Sequence, residues 1–136
     1  MSTFPVDIVA IDKLAYSGPC ESLVIPAMDG EMGVLAGHEP VVVAIQAGEL
    51  RYTVDGNTTI LAVGDGFMEI SDTGVNVMVD FAERADEIDM IRAQAAADRA
   101  RERIQAHKDA QTVAHAEAAL ARAIARLRVG GQNSIH

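Results

Sequence analysis

The sequence predicts an α+β protein in which an antiparallel β-sandwich or flattened barrel, residues 1–84, precedes an antiparallel two-helix hairpin, residues 85–136. In the first part, short Val- and Ile-rich runs are separated by Gly, Pro, Asp and Asn, which is typical of strands and turns. From Asp86 onward Ala dominates, and neither Gly nor Pro occurs before Gly130, which favours helices. The charge divides at the same place: the first part has 13 acidic and 3 basic residues, and the second has 7 and 8.

Seven runs rich in branched aliphatic residues predict strands in the first part. They are Val6–Ile11, Ser22–Ala27, Val41–Ile45, Leu50–Val54, Thr58–Val63, Phe67–Ile70 and Val75–Val79. In the last run, Val75, Val77 and Val79 share one side of the strand, which predicts that this side is buried. Asp55-Gly56-Asn57 predicts a tight hairpin turn, because glycine tolerates positive φ. Many short strands with frequent turns favour a sandwich or a barrel.

The second part predicts two helices joined by a bend at residues 105–112. Three acids cluster where the first helix is expected to begin, as a helix N-terminus favours: Asp86, Glu87 and Asp89. Asp109 or Thr112 is the expected N-cap of the second helix. Gly130-Gly131 is expected to end that helix, and residues 132–136 are expected to fray.

Large apolar residues are sparse in the predicted hairpin. The second helix has one stripe of them at helical spacing: Val113, Leu120, Ile124 and Leu127. So few large side chains bury little apolar surface, and the cost of ordering the segment makes the hairpin alone marginal. A ligand or partner is therefore expected to decide between a compact and an extended state.

Composition excludes several classes of protein. The net charge of −9 and the pI near 4.7 argue against a general nucleic-acid binder. Cys20 is the single cysteine, so a reducing compartment and a buried thiol are expected. Residues 1–12 lack the pattern of a signal peptide, and no apolar run approaches the ~20 residues that a membrane span needs.

Four arginines form the strongest candidate site in the predicted helices. Arg92 and Arg99 lie seven residues apart, and Arg122 and Arg126 lie four apart, so each pair shares one helix face. Neither Arg122 nor Arg126 has an acidic residue three or four positions away. The alternative is a solvated face, on which Arg92 pairs with Asp89 and Arg99 with Glu102. The pattern therefore indicates an anion site between the helices, and a phosphate suits the arginine fork.

Five blocks of sequence carry a resemblance to a known family. They are Gly30–Pro40 (GEMGVLAGHEP), Gly64–Ile70 (GDGFMEI), Asp80–Ala85 (DFAERA), Ile88–Ala93 (IDMIRA) and Ala121–Leu127 (ARAIARL). Over nearly its whole length the chain resembles the epsilon subunit of bacterial F-type ATP synthases. Two positions depart from the family pattern: Ala36 replaces a proline, and Asp65 interrupts a Gly-Gly pair.

The resemblance implies a non-catalytic rotor subunit at the cytoplasmic face of the plasma membrane. Its sandwich would bind the gamma subunit and rest on the c-subunit ring, with Glu31 and His38 in the contacting loops. Its hairpin would bind ATP when folded down, and reach the alpha and beta subunits and restrain ATP hydrolysis when extended. The implied ATP-binding residues are Glu83, Ile88, Asp89, Arg92, Ala93, Arg99, Arg122 and Arg126. Whether Mg²⁺ accompanies the nucleotide stays open.

Other functions fit the sequence less well. A stand-alone ATP-sensing module would use the same residues without the synthase. A hydrolase would need His38 as its base, but no nucleophile or orienting acid stands at recognisable spacing. His107 and His115 alone make no metal site, and no P-loop motif is present.

Overall fold

The computed structural model describes residues 2–106 and 109–133, and it confirms the predicted fold class. Ten strands come first: β1 Phe4–Ala10, β2 Leu14–Cys20, β3 Ser22–Ala27, β4 Gly30–Val34, β5 Val41–Ile45, β6 Gly48–Val54, β7 Asn57–Val63, β8 Gly66–Ser71, β9 Gly74–Val79 and β10 Ala82–Arg84. A 3₁₀-helix, Ala85–Glu87, leads to helices α1, Met90–Ala106, and α2, Ala110–Asn133.

The strands form one strongly bent sheet in the order β10-β7-β6-β3-β5-β8-β9-β1-β2, with β4 paired to β3. Every pairing is antiparallel except that of β1 with β9. The sheet folds over at β3, which reaches β5 through the single pair Ala27 and Ile45. Its two halves enclose a core that includes Ile8, Leu23 and Leu50. The ring of Tyr16 on β2 lies against that of Tyr52 on β6, with centroids 4.5 Å apart. This contact brings β2, at one end of the sheet order, close to β6 in the other half.

All seven predicted runs lie on strands, except that Ile11 falls just after β1, and Val75, Val77 and Val79 are buried as expected. Strands β2, β4 and β10 were not among the predicted runs. Strand β2 contains a glycine and a proline and β4 contains two glycines, which weaken strand signals, and β10 has only three residues. The predicted turn joins β6 to β7, with positive φ at Asp55 and Gly56. Cys20 is buried, and this burial raises the pKa of its thiol.

Helix α1 begins at Met90, directly after the acidic cluster at which its start was predicted. Asp89 caps it: its Oδ1 accepts the Arg92 backbone N–H at 3.1 Å. The earlier acids lie in the 3₁₀-helix instead, where Glu87 Oε1 accepts the Arg84 N–H at 2.9 Å. Asp109 caps α2 by accepting the Thr112 N–H at 3.1 Å, so the first of the two predicted caps is the one used.

The prediction that Gly130-Gly131 ends the second helix is wrong, because α2 continues to Asn133. A Cβ at Gly130 would overlap Met90 Sδ, so the glycine makes room for the first residue of α1 to cross the end of α2. Gln132 Nε2 donates to Glu49 Oε2 on β6 at 3.1 Å. These tertiary contacts outweigh the local preference of glycine for a helix end. The rest of the predicted frayed tail, residues 134–136, and His107 lie outside the described residues.

Small residues make the contact between the helices. Ala93, Ala97 and Ala100 are buried on α1, and Ala116 and Ala123 on α2. The predicted stripe of large residues on α2 is only half-buried. Helix α2 instead packs on β6, β7 and β10, through a second apolar cluster of Ala62, Ala125 and Val129 with Ile60, Phe81, Ala85 and Ile88 around it.

An ion pair joins the sandwich to the start of the helical segment. Lys13 Nζ, after β1, lies 2.7 Å from Glu87 Oε2 in the 3₁₀-helix. The Lys13 ammonium and, second, the Arg84 N–H hold the pKa of the Glu87 carboxyl below its ordinary value. Glu87 therefore ties together three parts of the chain at the junction.

We expect Glu87→Gln to lower the free energy of unfolding by about 0.5 kcal/mol at neutral pH, a small value because both side chains are about one third exposed. The folded-state pKa of Glu87 is lowered, so its contribution is present above the unfolded pKa of about 4.3. It is lost as the pH falls through the folded pKa. Urea unfolding of both chains at several pH values measures the difference, which should shrink as the pH falls below the unfolded pKa and vanish once Glu87 is protonated in the folded chain as well. A difference that stays constant with pH would contradict the assignment.

Candidate functional site

Two adjoining clefts lie where α1, α2 and β10 meet. The first, here the mixed cleft, measures about 350 Å³ and is lined by Glu83, Glu87, Asp89, Arg92, Ala93, Ala96 and Arg126. The second, here the arginine cleft, measures about 260 Å³ and is lined by Ala93, Ala96, Arg99, Ala100, Arg103, Ala119, Arg122, Ala123 and Arg126. Because Ala93, Ala96 and Arg126 line both, the two clefts form one groove.

The arginine cleft is an unusual concentration of positive charge in an acidic protein. Its lining includes four guanidinium groups and no carboxylate. Within the described residues, Arg99, Arg103 and Arg122 have no ion-pair partner within 4.0 Å, so the pairing of Arg99 with Glu102 that the alternative of a solvated face would use does not form. Like charges held together repel one another, and an anion with several oxygens would relieve this repulsion. The alanines between the arginines leave the space that such an anion needs.

The mixed cleft differs because its carboxylates already have partners. Asp89 caps α1 with its side chain rather than pairing with the Arg92 guanidinium. Glu87 binds Lys13, and Glu83 binds Arg126. The guanidinium of Arg92, in contrast, has no ion pair among the residues that the structure describes. Ala93, at 4% exposure, forms part of the floor of the groove.

Arg126 is not free, although no acid lies near it in sequence. Its Nε donates to Glu83 Oε1 at 2.9 Å, and its Nη2 donates to Glu83 Oε2 at 3.2 Å. Its Cζ lies 3.8 Å from the centroid of the Phe81 ring. Arg126 was predicted to bind an anion, and the Glu83 carboxylate, 43 positions earlier in the sandwich, supplies part of that negative charge.

Seven of the eight candidate ATP-binding residues line the groove. Glu83, Asp89 and Arg92 line the mixed cleft, Arg99 and Arg122 line the arginine cleft, and Ala93 and Arg126 line both. The eighth, Ile88, is half-buried and packs against the cluster of Ala62, Ala125 and Val129 instead. Its observed role is therefore to hold the junction against α2 and the sheet.

The two predicted partner-contact residues lie away from the groove. Glu31 on β4 is held by Arg51 of β6, whose Nη1 donates to Glu31 Oε2 at 2.8 Å and to Glu49 Oε1 at 3.3 Å. The Arg51 guanidinium lowers the pKa of the Glu31 carboxyl. His38 lies in an exposed loop, with its Nδ1 3.0 Å from the Glu39 carbonyl oxygen. No side-chain hydroxyl is bonded to this ring in the described part of the chain, so the arrangement of a catalytic base is not seen there.

Arg103, Ala96 and Glu87 line the groove without having been candidate site residues, and Phe81 lies beside the groove against Arg126. Arg103 follows Arg99 by four residues, and helical spacing alone could have placed it in the arginine cleft. Ala96 follows Ala93 by three residues in the same way. Phe81 contacts Arg126 across 45 positions of sequence, and no local pattern indicates such a contact.

Comparison with known proteins matches both parts of the chain. The family model "ATP synthase, Delta/Epsilon chain, beta-sandwich domain" matches residues 3–85, and "ATP synthase, Delta/Epsilon chain, long alpha-helix domain" matches residues 86–131. The ATP synthase epsilon chain of Syntrophomonas wolfei is 39% identical over 128 residues, 93% of each chain. That of Nitratidesulfovibrio vulgaris is 43% identical over 126 residues, 93% of this chain and 94% of the relative.

Solved structures give the same result for the fold. A chain in the cryo-EM structure of the Euglena gracilis mitochondrial ATP synthase has a TM-score of 0.79 and 26% identity, covering 100% of this chain and 83% of that one. A chain of the Tetrahymena thermophila mitochondrial ATP synthase central stalk and c ring has a TM-score of 0.58, covering 96% and 95%. At 14% identity, this second likeness shows the fold alone.

The fold and these matches define the class of the protein, which is that of the sandwich-and-hairpin subunits of rotary ATP synthases. Such a subunit belongs to the central stalk and is not itself an enzyme. The chain belongs to the ATP synthase delta/epsilon chain family, and the resemblance found in its sequence is confirmed.

Of the helices in residues 2–106 and 109–133, none has the length and apolar character to cross a membrane.

Proposed function

We propose that this chain is the rotor epsilon subunit that joins the gamma subunit to the c ring at the cytoplasmic face of the plasma membrane. Its hairpin regulates ATP hydrolysis by moving between a docked state, which binds ATP, and an extended state, which reaches the alpha and beta subunits. ATP acts here as an effector rather than a substrate. Membership of the epsilon family supports the rotor role, and the groove supports the proposal that the chain binds a nucleotide.

The arginine cleft is the observation that carries the nucleotide proposal. Arg99 and Arg103 come from α1, whereas Arg122 and Arg126 come from α2. An anion held by both sets bridges the helices, and charge-assisted hydrogen bonds to phosphate are the strong kind. A triphosphate would lie in this cleft, and the base would lie over Ala93 and Ala96 toward the mixed cleft.

Ligand binding would favour the docked hairpin through simple linkage. A ligand that binds only the docked state, at ten times its dissociation constant, stabilises that state by about 1.4 kcal/mol. A seam made of alanines buries little apolar surface per residue. The docked and extended states should therefore differ by little, so that a shift of this size changes their ratio about tenfold.

An exposed row of apolar residues supports the proposal that a partner binds the half of the sheet on which α2 does not pack. Ala44, Phe67, Met78, Val9 and Leu14 occupy paired positions across β5, β8, β9, β1 and β2. Phe67, Met78 and Leu14 are 43%, 41% and 60% exposed. Exposed apolar patches of this kind mark protein contacts, and the gamma subunit is the proposed occupant. Helix α2 packs on β6, β7 and β10 instead, so the hairpin and gamma could bind together.

Titration of the intact chain with ATP, with and without Mg²⁺, tests the proposal. We expect one site per chain by calorimetry, unhydrolysed ATP, and slower amide hydrogen exchange in α1 and α2 once ATP is bound. Tripolyphosphate should bind more weakly, since it lacks the base. Absence of ATP binding, or hairpin exchange already as slow as that of the sandwich without ligand, would reject the switch. Copurification with gamma and c subunits separates the rotor role from a stand-alone sensor.

A further inference from the structure

We propose that Phe81 is a positioning residue that holds Arg126 at the nucleotide groove, and that Gly64 is required because it makes room for the Phe81 ring. This inference rests on the proposed ATP site. It assigns a role to two residues of the sandwich that do not line the groove themselves.

Arg126 is the only arginine among the described residues that lines both clefts, so its orientation matters for any ligand that spans them. Two contacts from the sandwich fix that orientation. Glu83 receives Nε and Nη2 in a fork, which sets the plane of the guanidinium. Phe81 covers one face of the group, with Cζ 3.8 Å from the ring centroid. A cation over an aromatic face is attracted by the negative charge of that face.

The fork leaves part of the guanidinium available. An arginine has five N–H donors in a rigid plane, and the contacts with Glu83 use only Nε and Nη2. No hydrogen bond to Nη1 occurs within the described residues, so this nitrogen can donate to a ligand. A side chain already held by its neighbours loses less conformational entropy when a ligand binds. Phe81 and Glu83 thus prepare Arg126 for an anion.

Gly64 explains how the ring comes to lie there. Gly64 N–H donates to the Phe81 carbonyl oxygen at 3.0 Å, which places the two residues side by side. A Cβ at Gly64 would lie 2.8 Å from Phe81 Cδ2 and 2.9 Å from Cε2. Gly64 needs no unusual φ, so the space taken by the Phe81 ring, and by Asp80 Cβ at 3.0 Å, is the reason for glycine. The order of contacts is therefore Gly64, Phe81, Arg126 and then the groove.

Three variants of the intact chain test the role of Phe81. Phe81→Leu keeps an apolar side chain but removes the aromatic face, and we expect it to weaken ATP binding by about threefold to thirtyfold, the range of a partly buried cation–π contact. Phe81→Tyr keeps the face and should bind ATP within about twofold of the unaltered chain. Gly64→Ala should weaken binding as Phe81→Leu does, because its methyl group displaces the ring.

A double-mutant cycle separates positioning from a general loss of stability. In an Arg126→Gln background, Phe81→Leu should change the ATP affinity no further, because the residue on which Phe81 acts is gone. Equal affinity of Phe81→Leu and the unaltered chain, failure of Phe81→Tyr to restore binding, or an undiminished effect in the Arg126→Gln background would each overturn the positioning role. Failure of the unaltered chain to bind ATP would instead reject the site itself, so the two failures are distinguishable.

Discussion

Replacement of both Arg122 and Arg126 by alanine should weaken ATP binding by well over tenfold. Each guanidinium is expected to make charge-assisted hydrogen bonds with phosphate oxygens, and loss of one such contact typically costs about 1.5–3 kcal/mol. Arg122 has no ion pair in the described part of the chain, and Arg126 lines both clefts. Calorimetric titration with ATP measures the effect.

The two arginines are not equivalent, and the single variants should show it. Arg126 also binds Glu83, so Arg126→Ala loosens the attachment of α2 to the sandwich as well as the ligand site. Arg122→Ala should reduce the affinity for ATP while the amide exchange of the ligand-free hairpin stays unchanged. Arg128→Ala is a matched control, because Arg128 lies on the same helix but lines neither cleft. Unchanged affinity in the double variant would reject the arginine cleft as the phosphate site.

Gly66→Ala should lower the free energy of unfolding by about 3 kcal/mol, the upper end of the range for overpacking. Gly66 is the first residue of β8, which lies between β5 and β9, and it pairs with Ile45 and Val79. A Cβ there would overlap the Met78 carbonyl oxygen and lie 2.8 Å from Val79 Cα. These are backbone atoms, so no side-chain rotation relieves the overlap and the strands must separate.

Gly33→Ala is the control for this substitution. A Cβ at Gly33 meets nothing within 4 Å, and Gly33 lies on β4, which pairs with β3 alone among the described strands. Its effect should stay within about 0.5 kcal/mol, as for most surface substitutions. Guanidinium unfolding of both variants gives the comparison. If Gly66→Ala unfolds at the same denaturant concentration as Gly33→Ala, the close approach of β8 and β9 is not what requires glycine.

Gly64, Asp65 and Gly66 each contact a neighbouring part of the sandwich. Gly64 makes room for Phe81, and Gly66 makes room for β9. Asp65 between them accepts the Ala47 N–H through Oδ1 at 2.9 Å, and its carbonyl oxygen accepts the Asp80 N–H at 3.0 Å. Asp65 therefore ties the start of β8 to two neighbouring turns. Ala36 lies exposed in the loop that carries His38.

Local patterns predicted most of the elements because the forces behind them are local. Alternating apolar residues mark a strand with one buried face, and the runs from Val6 to Val79 all became strands. Asp109 was identifiable as a cap because its side chain binds a backbone N–H three residues later. Gly130 was misjudged for the opposite reason. Glycine locally favours the end of a helix, but here the absence of a side chain leaves the space that Met90 occupies where it crosses α2.

The candidate site, like the fold, was partly predictable from local spacing and partly not. Spacing alone showed that Arg92 and Arg99 share a face, as do Arg122 and Arg126, and the groove contains all four. Spacing could not show that Arg126 is held by Glu83 and Phe81, or that Ile88 packs into the apolar cluster. Those contacts join residues that are distant in sequence, and they come together only when α2 lies on β7 and β10. The division of the chain into domains at residues 84 and 85 stays a prediction.

The amino-acid sequence by itself determined the two-part architecture, the alanine seam and the supply of arginines, because each follows from the period and chemistry of neighbouring residues. Only the tertiary structure decided which arginines are free and which is already held. Charge pairing depends on distance in space, and the docking of the hairpin sets those distances.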